Sequence, residues 1–119
     1  MFKEVLQQVV DGTEGAVAAL LMGFDGIAID QYVRDAGLSD VENVGMELSV
    51  ILKDIRKATQ LLSAGDAQEV AILAERMTTV IRILSEDYFM AVTVAPGGNI
   101  GKARFLLRVR TAKLVEELM

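Results

Sequence analysis

The segment Gly97-Gly98-Asn99-Ile100-Gly101-Lys102 is the stretch of this 119-residue chain that most invites a chemical role. A glycine-rich loop ahead of a lysine can cradle phosphates with its backbone N–H groups. The spacing fails that role. A phosphate loop needs four residues between its glycines, and three separate Gly97 from Gly101. Ala103 stands where a Ser or Thr hydroxyl would hold magnesium. The segment is expected to stop a strand and start a helix instead. Asp25-Gly26 raises a calcium loop, but the alternating Asp/Asn spacing of such loops is absent, and a hairpin turn is expected. Lys102, Arg104, Arg108, Arg110 and Lys113 follow one another with no acid until Glu116. Such a run could dock an acidic partner or an anionic membrane. The five spread widely around a helical wheel, which favours a solvated face whose long stems cover apolar neighbours.

The absent residue types narrow the chemistry further. With no His and no Cys, the usual zinc sites and the Ser-His and Cys-His nucleophile pairs are unavailable. Carboxylate or lysine chemistry stays formally open, but no local cluster suggests it. No enzyme activity, catalytic residue, metal or cofactor is expected. Lack of Cys also removes any reason to expect a disulfide-stapled secreted domain. Met1-Phe2-Lys3-Glu4-Val5 is not a basic stretch leading into an apolar one, so a cytoplasmic protein is expected. The net charge of −5 argues against a general nucleic-acid binder.

These residues need elements to position them. The length predicts one domain over residues 1–119. Phe2, Val5, Leu6, Val9 and Val10 repeat at helical spacing, and Gly12 is a plausible stop. Ala16 to Met22 is continuously apolar, as in a central strand buried on both faces. After the Gly23–Gly26 turn, Ile27, Ile29 and Val33 alternate with Asp30 and Tyr32, completing a hairpin. Asp40 to Ala64 is the longest helical pattern, with Ser39 or Asp40 as N-cap and Gly65 as stop. Gln68–Glu75, Thr78–Leu84 and Tyr88–Ala95 read as an antiparallel meander. Asn99 can cap a last helix that carries Ile100, Ala103, Leu107, Leu114 and Leu118 on one arc and Phe105, Val109 and Ala112 on another. The expected fold is α+β: a five-stranded antiparallel sheet in the order α-β-β-α-β-β-β-α, with helices on both faces.

The apolar content is high, at 52% with a mean hydropathy of +0.38. No run approaches the roughly 20 residues of a spanning helix, so membrane insertion is not expected. A core plus extra apolar surface fits better, and that points to an oligomer. On the middle helix, Val41, Val44, Leu48, Ile51, Leu52, Ile55 and Leu62 share the expected core arc. Met46, Val50 and Leu61 fall nearly opposite, among Lys53, Asp54 and Lys57. Scattered exposed apolar residues are common. A second contact face for a partner subunit is the sharper reading. The candidate interface is Met46, Val50, Leu61, Lys53 and Lys57, with Val70 and Ile72 on the next strand.

Ala16 to Asp30, with its Met22-Gly23-Phe24-Asp25-Gly26 turn, resembles the first hairpin of the roadblock (dynein light chain) family. Asp87-Tyr88-Phe89-Met90 and the run from Gly98 to Arg108 resemble that family's last strand and final helix. The resemblance covers nearly the whole chain and is strongest to the small bacterial members of the MglC and MglB kind. It implies a homodimer joined through the middle helix and third strand. It implies a scaffold in a Ras-like GTPase system for cell polarity or gliding motility, recruited to a cell pole. The implied partners are another roadblock protein of the MglB kind, polarity factors, and the GTPase directly or indirectly. MglB-type proteins promote GTP hydrolysis, and the missing C-terminal extension after Leu118-Met119 favours scaffolding over direct activation. The alternatives are direct GTPase activation of the MglB kind and a small-ligand sensor.

Overall fold

Apolar periodicity becomes three helices and five strands in the computed structural model, which describes residues 2–34 and 40–118. They run α1 (Phe2–Asp11), β1 (Ala16–Gly23), β2 (Ala28–Val33), α2 (Val41–Leu61), β3 (Glu69–Leu73), β4 (Thr78–Ile83), β5 (Tyr88–Val94) and α3 (Ile100–Leu118). The strands form one sheet in the order β2-β1-β5-β4-β3, antiparallel throughout. The expected α+β architecture is the one observed. Helices cover both faces. Against α1 and α3 lie Ala19, Leu21, Val80, Met90 and Val92. Against α2 lie Leu20, Met22, Ile81, Phe89 and Ala91. β1 is unbroken in its apolarity because it is an interior strand with a helix layer on either side.

The hairpin departs from simple alternation. Leu21 pairs with Asp30 but Met22 with Ala28, so Ile29 is an extra residue in a bulge. Ile29 and Tyr32 therefore both pack toward the α1–α3 side, although strict period two sends them apart. Ile27 drops out of the strand into the turn, where it is 66% exposed.

The middle helix is rotated from the expected arc. Its buried residues are Gly45, Leu48, Ser49 and Leu52, with Val41 and Ile55 half-buried at the margins. Val44, Ile51 and Leu62, expected in the core, are 48%, 45% and 78% exposed. The cause is Gly45. A Cβ there would run into the Leu20 side chain and come within 2.7 Å of Met22 Cε. The helix backbone approaches the sheet at this residue, and the buried stripe is centred on it. Counting only large apolar residues leaves glycine out of the stripe and turns the wheel toward Val44 and Ile51.

The helix ends also differ in detail. Asp40 is the N-cap by position, with a left-handed backbone (φ 60°) and no side-chain capping bond. Ser39 lies outside the described residues. At the other end the helix closes at Ser63, which takes a left-handed backbone at φ 56°, two residues before Gly65, itself at φ 82°. The Ser63 N–H donates to Gln60 O and the Ala64 N–H to Thr59 O, a closing pair that satisfies the last carbonyls. We expect Gly45→Val to lower unfolding free energy in urea by about 1 to 3 kcal/mol, the usual cost of overpacking. An unchanged denaturation midpoint would mean the helix can lift off the sheet at no cost.

Candidate protein-interaction surface

Gly97-Gly98-Asn99, the segment that first suggested chemistry, is a packing junction. Gly15 and Gly98 abut so closely that a Cβ on Gly15 would lie 2.6 Å from Gly98 Cα. The Gly98 N–H donates to Ala95 O and the Asn99 N–H to Glu14 O. Asn99 then caps α3, its Oδ1 accepting the Lys102 N–H at 2.9 Å. The Gly98, Asn99 and Lys102 N–H groups, half of those a phosphate loop over this segment would offer, are thus donated within the chain. Asp25 is likewise used locally: its Oδ1 accepts the Ile27 N–H at 3.1 Å, and Gly26 takes φ 86° in the turn. No group of three or more His, Cys, Asp or Glu residues clusters as a metal site among the described residues.

The notable surface is apolar. Met46, Val50 and Leu61 are 48%, 57% and 87% exposed, on the side of α2 turned from the sheet. Lys53 and Lys57 are exposed with them. Ile72 is 37% exposed on β3. Val70 is less available, because it packs against the α2-side core. The candidate residues therefore divide into an outward ridge on α2 and an inner position on β3. What connects them is the Val44–Ile51 flank, which periodicity alone places in the core. Val44 and Leu48 border a shallow apolar depression of about 50 Å³ floored by Ala18, Leu20, Ala91 and Thr93. Thr79 completes its lining, and Thr79 is the cross-strand neighbour of Ile72. Apolar ground runs from α2 across the sheet to the β3 edge. Thr93 Oγ1 lies beneath it without a hydrogen-bond partner.

The sheet edges contrast. β2 is packed by both α1 and α2, and its Asp30 pairs with Lys3 at 3.8 Å. β3 follows Glu69 with Val70-Ala71-Ile72-Leu73, an uncharged run, and Leu73 is 73% exposed. Edge strands are ordinarily blunted by charge, proline or cover. β3 has none of these along that run.

The fold is thus a small open sheet sandwiched between one long helix and a helix pair, with an uncovered apolar edge. No protein-family model and no curated protein sequence matches the chain. Solved structures do. MglC from Myxococcus xanthus is 37% identical over 98% of both chains, with a TM-score of 0.70. A Roadblock/LC7 domain from Streptomyces avermitilis is 14% identical, covers 98% of this chain and 96% of its own, and has a TM-score of 0.86. MglB from Thermus thermophilus is 19% identical over 97% of this chain and 88% of its own, at a TM-score of 0.84. The chain belongs to the roadblock (dynein light chain) family, and within it is similar to MglC. No helix among the described residues is long and apolar enough to cross a membrane.

Exposure separates two neighbouring positions on α2. Leu48→Glu buries an unpaired carboxylate and should cost about 3 to 5 kcal/mol, enough to lose the native circular dichroism at moderate temperature. Val50→Glu should keep that spectrum. The reverse pattern would place Val50 in the core and Leu48 outside it, against both the periodicity and the packing of this helix.

Proposed function

We propose that the chain is a non-catalytic dimeric adaptor in a Ras-like small GTPase system for polarity or gliding motility, with α2 and β3 as the seat of a second roadblock domain. The observation that carries this reading is the bare β3 edge, continuous through Ile72 and Thr79 with the exposed Val44–Ile51 flank. A second β3 pairing there would satisfy its free N–H and C=O groups and extend the sheet. The flank and the Met46–Val50 ridge would then lose their apolar exposure in the same event. Lys53 and Lys57 would form the polar rim. The family supports association as its trade: one structural neighbour is described as MglB with a tetrameric arrangement, another as a gliding protein. Another roadblock protein of the MglB kind fits the same surface, and the GTPase would be reached through it or directly. The ligand-sensor alternative loses support: the apolar depression, at about 50 Å³, is far below the roughly 300–1,000 Å³ of small-molecule sites, and the larger clefts of about 380 and 400 Å³ are lined mainly by charged and polar side chains where such sites are mostly apolar.

Sedimentation at micromolar concentration should give a dimer. Ile72→Lys puts a charge on the edge and Val50→Glu puts one on the ridge, where burial without a partner is costly. Both should shift the chain toward monomer while its spectrum stays native. Pull-down of an MglB-type protein should weaken in parallel, with the GTPase supplied in its GDP and GTP forms to separate direct from indirect contact. Purified chain alone should show no saturable, magnesium-dependent GTP binding. A folded monomer under these conditions, or nucleotide binding by the isolated chain, would overturn the proposal.

A further inference from the structure

The α2–β3 reading leaves the opposite layer of the molecule unused. α3 packs onto the sheet through Ala103, Leu106, Leu107, Thr111 and Leu114. Its outward side holds Phe105 and Val109, each 46% exposed and one turn apart. Lys102 and Arg108 flank the ring, with Nζ 5.5 Å and Cζ 5.9 Å from its centroid. Lys113 continues the cationic border one turn further on. Among the described residues no carboxylate lies in ion-pair range of Lys102, Arg108 or Lys113, whereas Arg104 is folded onto Glu69 at 2.7 Å. Stems covering an aromatic ring account for part of this arrangement. They do not account for an apolar ridge that remains half-exposed beneath unpaired cations. Nor do they account for five of the 12 Lys and Arg residues of an acidic chain gathering between Gly101 and Leu114 with no acid among them.

We propose that this face of α3 docks an acidic amphipathic helix of another protein. Apolar side chains of that helix would lie along Phe105 and Val109, and its carboxylates would meet Lys102, Arg108 and Lys113. Lys102 to Lys113 spans about 16 Å at a helical rise of about 1.5 Å per residue, which suits a partner helix of about three turns. The surface beside the ridge is a cleft between α3 and the β3–β4 strands, lined by Gln68, Arg82, Phe105 and Arg108 and by Glu69, whose charge Arg104 pairs. A cleft receives a chain better than a flat bilayer. Two large apolar side chains, followed by Glu116 and Glu117 on the same helix, are a poor membrane anchor. The Phe105–Val109 ridge lies across the sheet from α2, and only the far wall of the cleft, at Gln68 and Glu69, adjoins the strand of the proposed dimer.

The test is fluorescence anisotropy with the full chain and a labelled helix of about 15 residues, its leucines at i, i+4 and i+7 bordered by glutamates. A matched helix with lysine for glutamate and vesicles of phosphatidylglycerol are the other arms. Saturable binding of the glutamate helix is expected, weakening as salt rises. Arg108→Glu and Phe105→Ser should each weaken it roughly tenfold. Sedimentation of both variants should match the parent, which separates this surface from the α2–β3 contact. Absence of saturable binding, equal binding of the lysine helix, full affinity in both variants, or preference for the vesicles would overturn the proposal.

Discussion

At Gly45 the backbone of α2 lies directly against the side chains of Leu20 and Met22, and the direction of every other residue on that helix follows from this contact. With no Cβ at the point of approach, the helix sits low over β1 and buries Leu48 and Leu52 as flanking anchors. The rise of 1.5 Å and turn of 3.6 residues do the rest. Val44 and Ile51 are carried to the flank, Met46 and Val50 to the outside. α2 packs chiefly on β1 and β2, so although Ile81 and Val70 reach its core, Ile72 at the β3 edge stays exposed. The exposed flank and the uncovered edge are two results of one close packing contact.

Charge divides the molecule in a complementary way. The outer side of α2 mixes Glu42, Glu47 and Asp54 with Lys53 and Lys57 around its apolar ridge. α3 is cationic over most of its length. The sheet separates these surfaces, and their hydrophobic cores are distinct clusters above and below it. The two helix layers thus differ in surface chemistry. Arg56 shows how local the remaining charges can be: its guanidinium stacks 4.0 Å over Phe24, which meets Phe89 edge-on at 5.3 Å, and it donates to Glu86 O. That cation closes the end of the α2-side core and is not part of either surface.

Element order and fold class were legible because long, strongly patterned segments dominate the chain. The apolar run of β1, the meander of β3 to β5 and the Asn99 start of α3 all follow from periodicity and turn chemistry. What the sequence concealed were displacements of a fraction of a turn or a single residue. The bulge at Ile29 breaks period two without any glycine or proline to announce it. Ser63 takes a left-handed backbone two residues ahead of Gly65, which does so too and is the obvious candidate in the sequence. The candidate surface was half-legible: Met46, Val50 and Leu61 are exposed as the wheel implied, but Val44 and Ile51 were assigned inward. Gly45 in the midst of an otherwise good helix former was the available signal. A glycine there costs helix stability, and close backbone approach is the usual compensation.

The pairing of β1 with β5 sets an order of events as well as a shape. β1 and its hairpin partner emerge early in synthesis, yet the inner edge of β1 must wait for residues far along the chain, Met22 for Phe89 and Ala16 for Val94. At about 5 to 20 residues per second, a gap of roughly 70 residues holds that edge open for several seconds. During this interval the nascent chain presents an unpaired strand of alanine, leucine and methionine, and α1 lacks α3, one of the three elements it packs against. Closure then brings non-local pairing all at once, which is slow for topologies of this kind. The Gly15–Gly98 junction can form only at that last step, so the seam that completes the sheet also joins the two ends of the folding process.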